Sequence, residues 1–302
     1  MSETYICVIG GGKDSIFLIE ELKKKLQKIL LIDKDKNCPA SKLAEVHLCI
    51  STWDSQEIIS QLANYKIKWC VTRSSGIPVI TTSKICEKYK FNTVASNCVK
   101  ELSSKKGIYS LKNIDNIKFP KLYDVRNLDS VEYIENLDFP LVVKPEFESV
   151  GKKGTFIIHE ADDIKNLLSK SAEYLAYGDL ILQSYIRGYD HSLIGICLDG
   201  KYESYALLKE KNEFSLTNSI NHFGFEVLNN LNLENKLSKI AQEICVDREI
   251  QNTPLNFNFR IDKEDFFLLE CNFDFGGEDI LEILKYDYNR DIIKAYLDKF
   301  LS

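Results

Sequence analysis

The chain has 302 residues, 44% of them hydrophobic, and sets 39 lysines and arginines against 45 aspartates and glutamates for a formal charge of -6. That is enough apolar material for one large domain or two to three small ones, and basic residues scattered through an acidic chain leave no footprint for DNA, RNA or anionic lipid. Nine cysteines without a CxxC pair or a Cys/His cluster read as reduced thiols, no apolar run approaches the ~20 residues of a membrane helix, and acidic Glu3 stands where a signal peptide would be basic, so a cytoplasmic protein is expected.

Tyr5–Ile9 is a short apolar run leading into Gly10, Gly11 and Gly12, after which Phe17, Leu18, Leu22 and Leu26 recur at helical spacing. This predicts a strand, a tight turn and a helix. Further apolar runs at Ile29–Ile32, closed by Asp33, at Val46–Ile50 and at Trp69–Thr72 alternate with amphipathic stretches. They predict a doubly wound parallel sheet over roughly the first hundred residues. Such a sheet opens its crevice at the carboxyl ends of the strands, which would gather Gly10–Gly12, Asp33 and Arg73-Ser74-Ser75-Gly76 around one site. A dinucleotide site would use the glycines and Asp33, but Ser15 stands at the third glycine position. That reading, a turn touching some other ligand and a purely structural turn all stay open.

From Glu101 the chain turns lysine-rich and polar, and a domain boundary is placed near residue 100. Pro120 precedes a new series of apolar runs, Leu141–Val143, Thr155–Ile158, Leu180–Leu182 and Phe266–Leu269, which predict mixed sheets with intervening helices. Lys144 ends the apolar run FPLVVK and is followed by a small-residue loop containing Ser149, Gly151 and Gly154. A lysine on a rigid strand can hold a phosphate as a point charge while a glycine-rich loop offers backbone N–H groups; a solvated basic hairpin is the plainer alternative. Further on come Gln183, Ile186 and Asp190 around a glycine corner, and then Asn258 on one strand with Glu270 and Asn272 on the next. Glu270 and Asn272 share a strand face because side chains alternate, so their oxygens can share magnesium. The four histidines, His47, His159, His191 and His222, show no metal spacing.

In this order the motifs resemble the ATP-grasp superfamily, of the carboxylate-amine or thiol ligase type, over nearly the whole chain. The resemblance implies an α/β and α+β fold: an amino-terminal doubly wound parallel sheet, the pre-ATP-grasp domain, over residues 1–100, then a two-lobed ATP-grasp fold over 101–302 with its small lobe at about 120–182. It implies ATP and Mg2+ as cofactors. Lys144 and an upstream lysine, Lys105 or Lys106, would contact ATP phosphates together with the Ser149, Gly151 and Gly154 loop. Gln183 and the backbone near Ile186 would address adenine and Asp190 the ribose, with Lys209 a further phosphate contact. Asn258, Glu270 and Asn272 would hold metal. The implied partners are small-molecule carboxylate and amine substrates, with a homodimer as one assembly to test for. No further carboxyl-terminal domain is expected after the helix at 278–301.

The sequence departs from the superfamily pattern at Gln183 and Asp190, where relatives usually carry glutamate, and at Asn258. The larger departure is NFDFGG, 272–277, where Asp274 replaces an arginine that would stabilise the acyl phosphate. Another cation, Arg73, Arg260 or Lys211, could take that role, Asp274 could recognise a substrate ammonium group, or it could cap the following helix. The expected activity is ATP-dependent ligation through an acyl phosphate, ADP-forming. A catalytically weakened ATP-binding regulatory protein of the same fold is the alternative.

Overall fold

The computed structural model describes residues 3–128, 130–147, 150–214 and 218–301. The first hundred residues alternate strand and helix: β1 Thr4–Ile9, α1 Asp14–Lys24, β2 Lys28–Ile32, β3 Val46–Leu48, α2 Ser55–Leu62, β4 Lys66–Thr72, α3 Ile77–Lys88 and α4 Ser96–Leu102. The strands form a parallel sheet in the order β3-β2-β1-β4. Both faces are covered, which is why the strands read as continuous apolar runs. Ile6 and Val8 face a cluster with Leu18, Ile19 and Leu22 of α1, while Tyr5, Cys7 and Ile9 face Ile58 and Leu62 of α2 and Ile85 and Cys86 of α3.

A second sheet, antiparallel and ordered β5-β8-β6-β7, is built from β5 Leu122–Tyr123, β6 Leu141–Pro145, β7 Phe156–Ile158 and β8 Leu180–Ser184, with α5 Val131–Glu135 and α6 Ile164–Ala172. Leu141, Val143 and Leu182 pack on Ile164 and Leu167 of α6. By the two-residue period the other face carries Val142, Lys144 and Gln183.

The third sheet runs β11-β10-β9-β13-β14, with the short β12 on β9. Its strands are β9 Tyr189–Leu198, β10 Lys201–Phe214, β11 Ile220–Val227, β12 Thr253–Pro254, β13 Asn256–Asp262 and β14 Asp265–Asn272, and α7 Leu231–Asp247 sits between β11 and β12. Leu193, Phe257, Phe259 and Leu268 bury one face against Leu237, Ile240 and Ile244 of α7. On the other face Ile194, Ile196, Ala206 and Leu208 join the core of the first sheet. The chain ends in α8 Glu278–Tyr286 and α9 Ile292–Leu301. α9 returns to the amino-terminal sheet, where Phe300 stacks on Trp69 with ring centroids 4.5 Å apart.

All nine cysteines are free, so no covalent cross-link supports the fold. Among the described residues no helix is long and apolar enough to cross a membrane.

Candidate active site between two sheets

The polar bed of the site is the face of the central sheet that is not covered by α7. Along β9 the even positions change from Asp190 and Ser192 to Ile194 and Ile196, so one strand face is polar at its start and apolar where it joins the core of the first sheet. Asn256, Asn258 and Arg260 occupy the same face on β13, opposite Phe257 and Phe259. On β14 the pairing steps from Asn258↔Glu270 to Phe259↔Leu268, leaving Leu269 as an extra residue. This bulge reverses the alternation, so Leu268 enters the α7 core while Glu270 and Asn272 face the cleft.

The second sheet lies over this bed. Ile157 N–H donates to Asn218 O at 2.8 Å and Ile220 N–H to Thr155 O at 3.1 Å, tying β7 to the β10–β11 hairpin. Two hollows result, sharing Lys152, Asn258 and Glu270. The larger, about 550 Å³, extends toward the parallel sheet and reaches Arg73, Ser74, Asn272 and Asp274. The smaller, about 40 Å³, lies under Lys144, Gln183 and Ile186. That is room for little more than a water molecule, so a nucleobase entering beside Gln183 requires the two sheets to part.

Charge is concentrated where the hollows meet. Arg260 grips Asp190 through two parallel bonds, Nε to Oδ1 at 2.6 Å and Nη2 to Oδ2 at 2.7 Å. Lys152 adds a third cation contact, its Nζ 2.8 Å from Asp190 Oδ2 and 2.9 Å from Glu210 Oε2. Burial alone would raise the Asp190 carboxyl, but Lys152 and Arg260 outweigh it and hold it well below the usual carboxylate range. Burial pushes the Lys144 ammonium down to about 7, opposed by Glu270 and assisted by the neighbouring Lys105, Lys152 and Arg260. Glu270 is lowered: Lys105, Lys144 and Lys152 outweigh its own burial.

The expected site residues divide by position. Lys144, Gln183, Ile186, Asp190, Asn258, Arg260 and Glu270 all line the smaller hollow, and Gly151, Asn272 and Asp274 line the larger one. Gly154 lines neither; a Cβ there would lie 2.8 Å from Tyr174 Cβ, so this glycine serves packing against the end of α6. Ser149 lies outside the described residues.

Two expectations, Lys106 and Lys209, are corrected, and two alternatives, at Asp33 and Asp274, lose support. Of the upstream lysines, buried Lys105 reaches the cleft, with Nζ 3.4 Å from Glu270 Oε1, whereas Lys106 turns outward to Glu146 and Asp179, each at 3.7 Å. Lys209 falls on the opposite face of β10 from Glu210 and sits 3.8 Å from the centre of the Tyr189 ring, away from both hollows. Asp33 lines neither hollow: its oxygens accept from Gly11 N–H at 2.7 Å and Asp35 N–H at 2.9 Å, so it braces the glycine turn. Asp274 does not cap α8, whose N-cap is Gly277; it accepts from Gly276 N–H at 2.9 Å, closing the turn before the helix.

Sequence reasoning missed Lys152, Glu210 and Ser192. Glu210 accepts from Ser192 Oγ at 2.9 Å and from Asn258 Nδ2 at 2.8 Å. The signal that finds Glu210 is its phase on β10, two residues beyond Leu208. Lys152 had none, since a loop residue's reach is set by tertiary packing. His222 also lines the larger hollow, with Nδ1 3.9 Å from Glu210 Oε2 and neither ring nitrogen hydrogen-bonded among the described residues.

The donor set fits magnesium bound together with phosphate. Among the described residues no three His, Cys, Asp or Glu side chains form a metal cluster. Glu270 with the amides Asn258 and Asn272 offers a few hard oxygens, the number magnesium takes from protein when phosphates and water complete its shell. The Asn258 Nδ2 bond to Glu210 leaves the amide oxygen for that purpose. Lys105, Lys144 and Lys152 supply the cations a triphosphate needs.

No family model matches the sequence. The chain is 26% identical over 179 residues to formate-dependent phosphoribosylglycinamide formyltransferase of Histophilus somni (strain 129Pt), a match covering 58% of this chain and 44% of that protein. The chain thus spans less than half the length of this curated relative. Among solved structures it is similar to N5-carboxyaminoimidazole synthetase from Staphylococcus aureus complexed with ADP, at TM-score 0.77 and 16% identity over 100% of this chain and 78% of that one. L-amino acid ligase from Bacillus licheniformis superposes with TM-score 0.77 and 15% identity over 100% and 75% of the two chains. With its parallel sheet, its small antiparallel sheet and its central antiparallel sheet arranged as in these ligases, the chain has the ATP-grasp fold.

Proposed function

We propose that the protein is an ATP-dependent ligase that converts a small-molecule carboxylate to an acyl phosphate and couples it to an amine, releasing ADP. The observation that carries this reading is the convergence of Lys144, from the small antiparallel sheet, and Glu270, from the central sheet, on one hollow. Lys144, Lys105 and Lys152 would neutralise the triphosphate, and Gln183 with the backbone at Ile186 would receive adenine. Asp190 would address the ribose once Lys152 moves away. Magnesium, held by Glu270, Asn272 and Asn258, would neutralise charge on the transferring phosphoryl group. The protein's own work is alignment: a carboxylate brought into line with the γ-phosphorus and kept from water needs no proton-transfer triad.

This reading divides the chain near residue 100, with a substrate-facing first domain and a nucleotide-binding remainder, and places it in the cytoplasm. The test is ADP release from ATP and Mg2+ in the presence of panels of carboxylates and amines. Release that requires both substrates supports the ligase. Tight MgATP binding with no release under any combination favours the regulatory alternative.

A further inference from the structure

The larger hollow continues past the nucleotide residues to the seam between the first domain and the turn after β14. Arg73, at the end of β4, is 6% exposed and lines it. Its Nη1 donates to Gly276 O at 3.0 Å, while its Nε has no hydrogen-bond partner among the described residues. The same Gly276 donates its N–H to Asp274 Oδ1. One glycine, at φ +80, therefore fixes a guanidinium through its carbonyl and a carboxylate through its amide, and the two charges act on each other. Asp14, at the start of α1, lines the same hollow.

A buried guanidinium with an unpartnered Nε–H calls for an anion. The surroundings discriminate between anions. Three carboxylates, Asp274, Asp14 and Glu278, act on Arg73 electrostatically. A phosphate dianion on Arg73 would be set against these three carboxylates, whereas a zwitterion would satisfy both signs. Lys105 and Lys152 line the same hollow, and the ligase reading assigns them to the triphosphate.

Resting on the ligase reading above, we propose that this seam takes a free α-amino acid as the amine-bearing substrate, with its carboxylate on Arg73 and its ammonium group on Asp274. Asp274 follows the metal-strand residue Asn272 by two positions, so the amine is the end of the amino acid nearest the reacting phosphate. The deprotonated amine forms an N–C bond to the carbonyl carbon of the acyl phosphate, and the C–O bond to phosphate breaks with its electron pair leaving on inorganic phosphate. Of the three ammonium protons, one stays on the amide, one goes to phosphate and one to water. Asp274, in the place of the superfamily's arginine, is on this account a specificity residue for the amine.

The experiment is calorimetry on the full chain, first with MgADP and then, at saturating MgADP, with each of the twenty standard amino acids, with methyl esters and N-acetyl derivatives of any that bind, and with ribose 5-phosphate. At least one amino acid is expected to bind, with its ester and its N-acetyl derivative each weaker by about tenfold or more. In Arg73→Gln the acid and ester should become equivalent, and in Asp274→Asn the acid and its N-acetyl derivative should, each compared at that variant's own MgADP saturation. Failure of MgADP to bind would overturn the ligase reading itself. MgADP binding with no amino acid bound, with ribose 5-phosphate bound through Arg73, or with acid and ester weakened equally by Arg73→Gln would overturn the amino-acid assignment alone.

Discussion

Arg260 and Asp190 stand directly opposite each other on neighbouring strands β13 and β9 and meet in a two-bond fork, Nε to Oδ1 at 2.6 Å and Nη2 to Oδ2 at 2.7 Å. Lys152, from the loop above, and Asn212, at 3.0 Å, complete the coordination of this buried carboxylate. Removing the charge would leave the buried Arg260 guanidinium without its carboxylate and Lys152 with Glu210 alone. Asp190→Asn is therefore expected to lower stability by about 3 kcal/mol or more, measured by denaturant unfolding.

The same carboxylate gives a pH signature. Its native pKa is depressed, so its contribution to stability is complete above the unfolded carboxylate pKa of about 3.9 and is lost as pH falls through the depressed native value. Unfolding midpoints followed downward from about pH 5 should fall more steeply in the wild type than in Asp190→Asn.

Lys144 titrates in the opposite sense. Burial brings its ammonium to about 7, so in the free protein it loses charge as pH rises through neutrality. MgADP affinity by calorimetry is expected to fall by about tenfold between about pH 6 and about pH 9, while Lys144→Arg, charged throughout, should show a flat profile. Equal slopes in the two proteins would remove Lys144 from the phosphate contacts.

Much of this site is visible in the sequence because strands advertise their faces. Lys144 ends an apolar run, and Glu270 and Asn272 share a strand parity; both need only the period of two. What the period cannot supply is a bulge. Leu269 shifts the alternation on β14, and without that shift Leu268 would face the cleft together with Glu270. Lys209 shows the same difficulty in reverse, since a lysine one residue from Glu210 looks equally available until the phase of β10 is known. Lys105 and Lys106 are adjacent in a turn after α4, where no periodicity separates inward from outward. Lys152 and the Arg73–Gly276–Asp274 arrangement depend on contacts between segments distant in the chain, which no local pattern encodes.

Gly188 offers a backbone test of the fork. It has φ +102, and a Cβ there would lie 2.0 Å from Ile261 O on β13. Gly188→Ala should therefore push β13 away from the start of β9 and loosen Arg260 from Asp190. The expected cost is about 2 kcal/mol or more, read as a lower unfolding midpoint with an unchanged denaturant slope.

Glu270→Gln keeps the shape of the metal-facing side chain and removes its charge. Its substrate-dependent ADP release should fall about 100-fold or more, equivalent to about 2.7 kcal/mol of barrier, with a circular dichroism spectrum matching the wild type. Near-normal turnover in this variant would remove Glu270 from the metal site.

The most direct measurement is a crystal structure of the chain with a non-hydrolysable ATP analogue and Mg2+. The sheets bearing Lys144 and Glu270 should be parted around the nucleotide, with Lys152 withdrawn from Asp190, phosphate oxygens against Lys144 and Lys105, and a magnesium ion at about 2.1 Å from oxygens of Glu270 and Asn272. Nucleotide bound elsewhere, or a cleft that stays closed under saturating analogue, would contradict this arrangement.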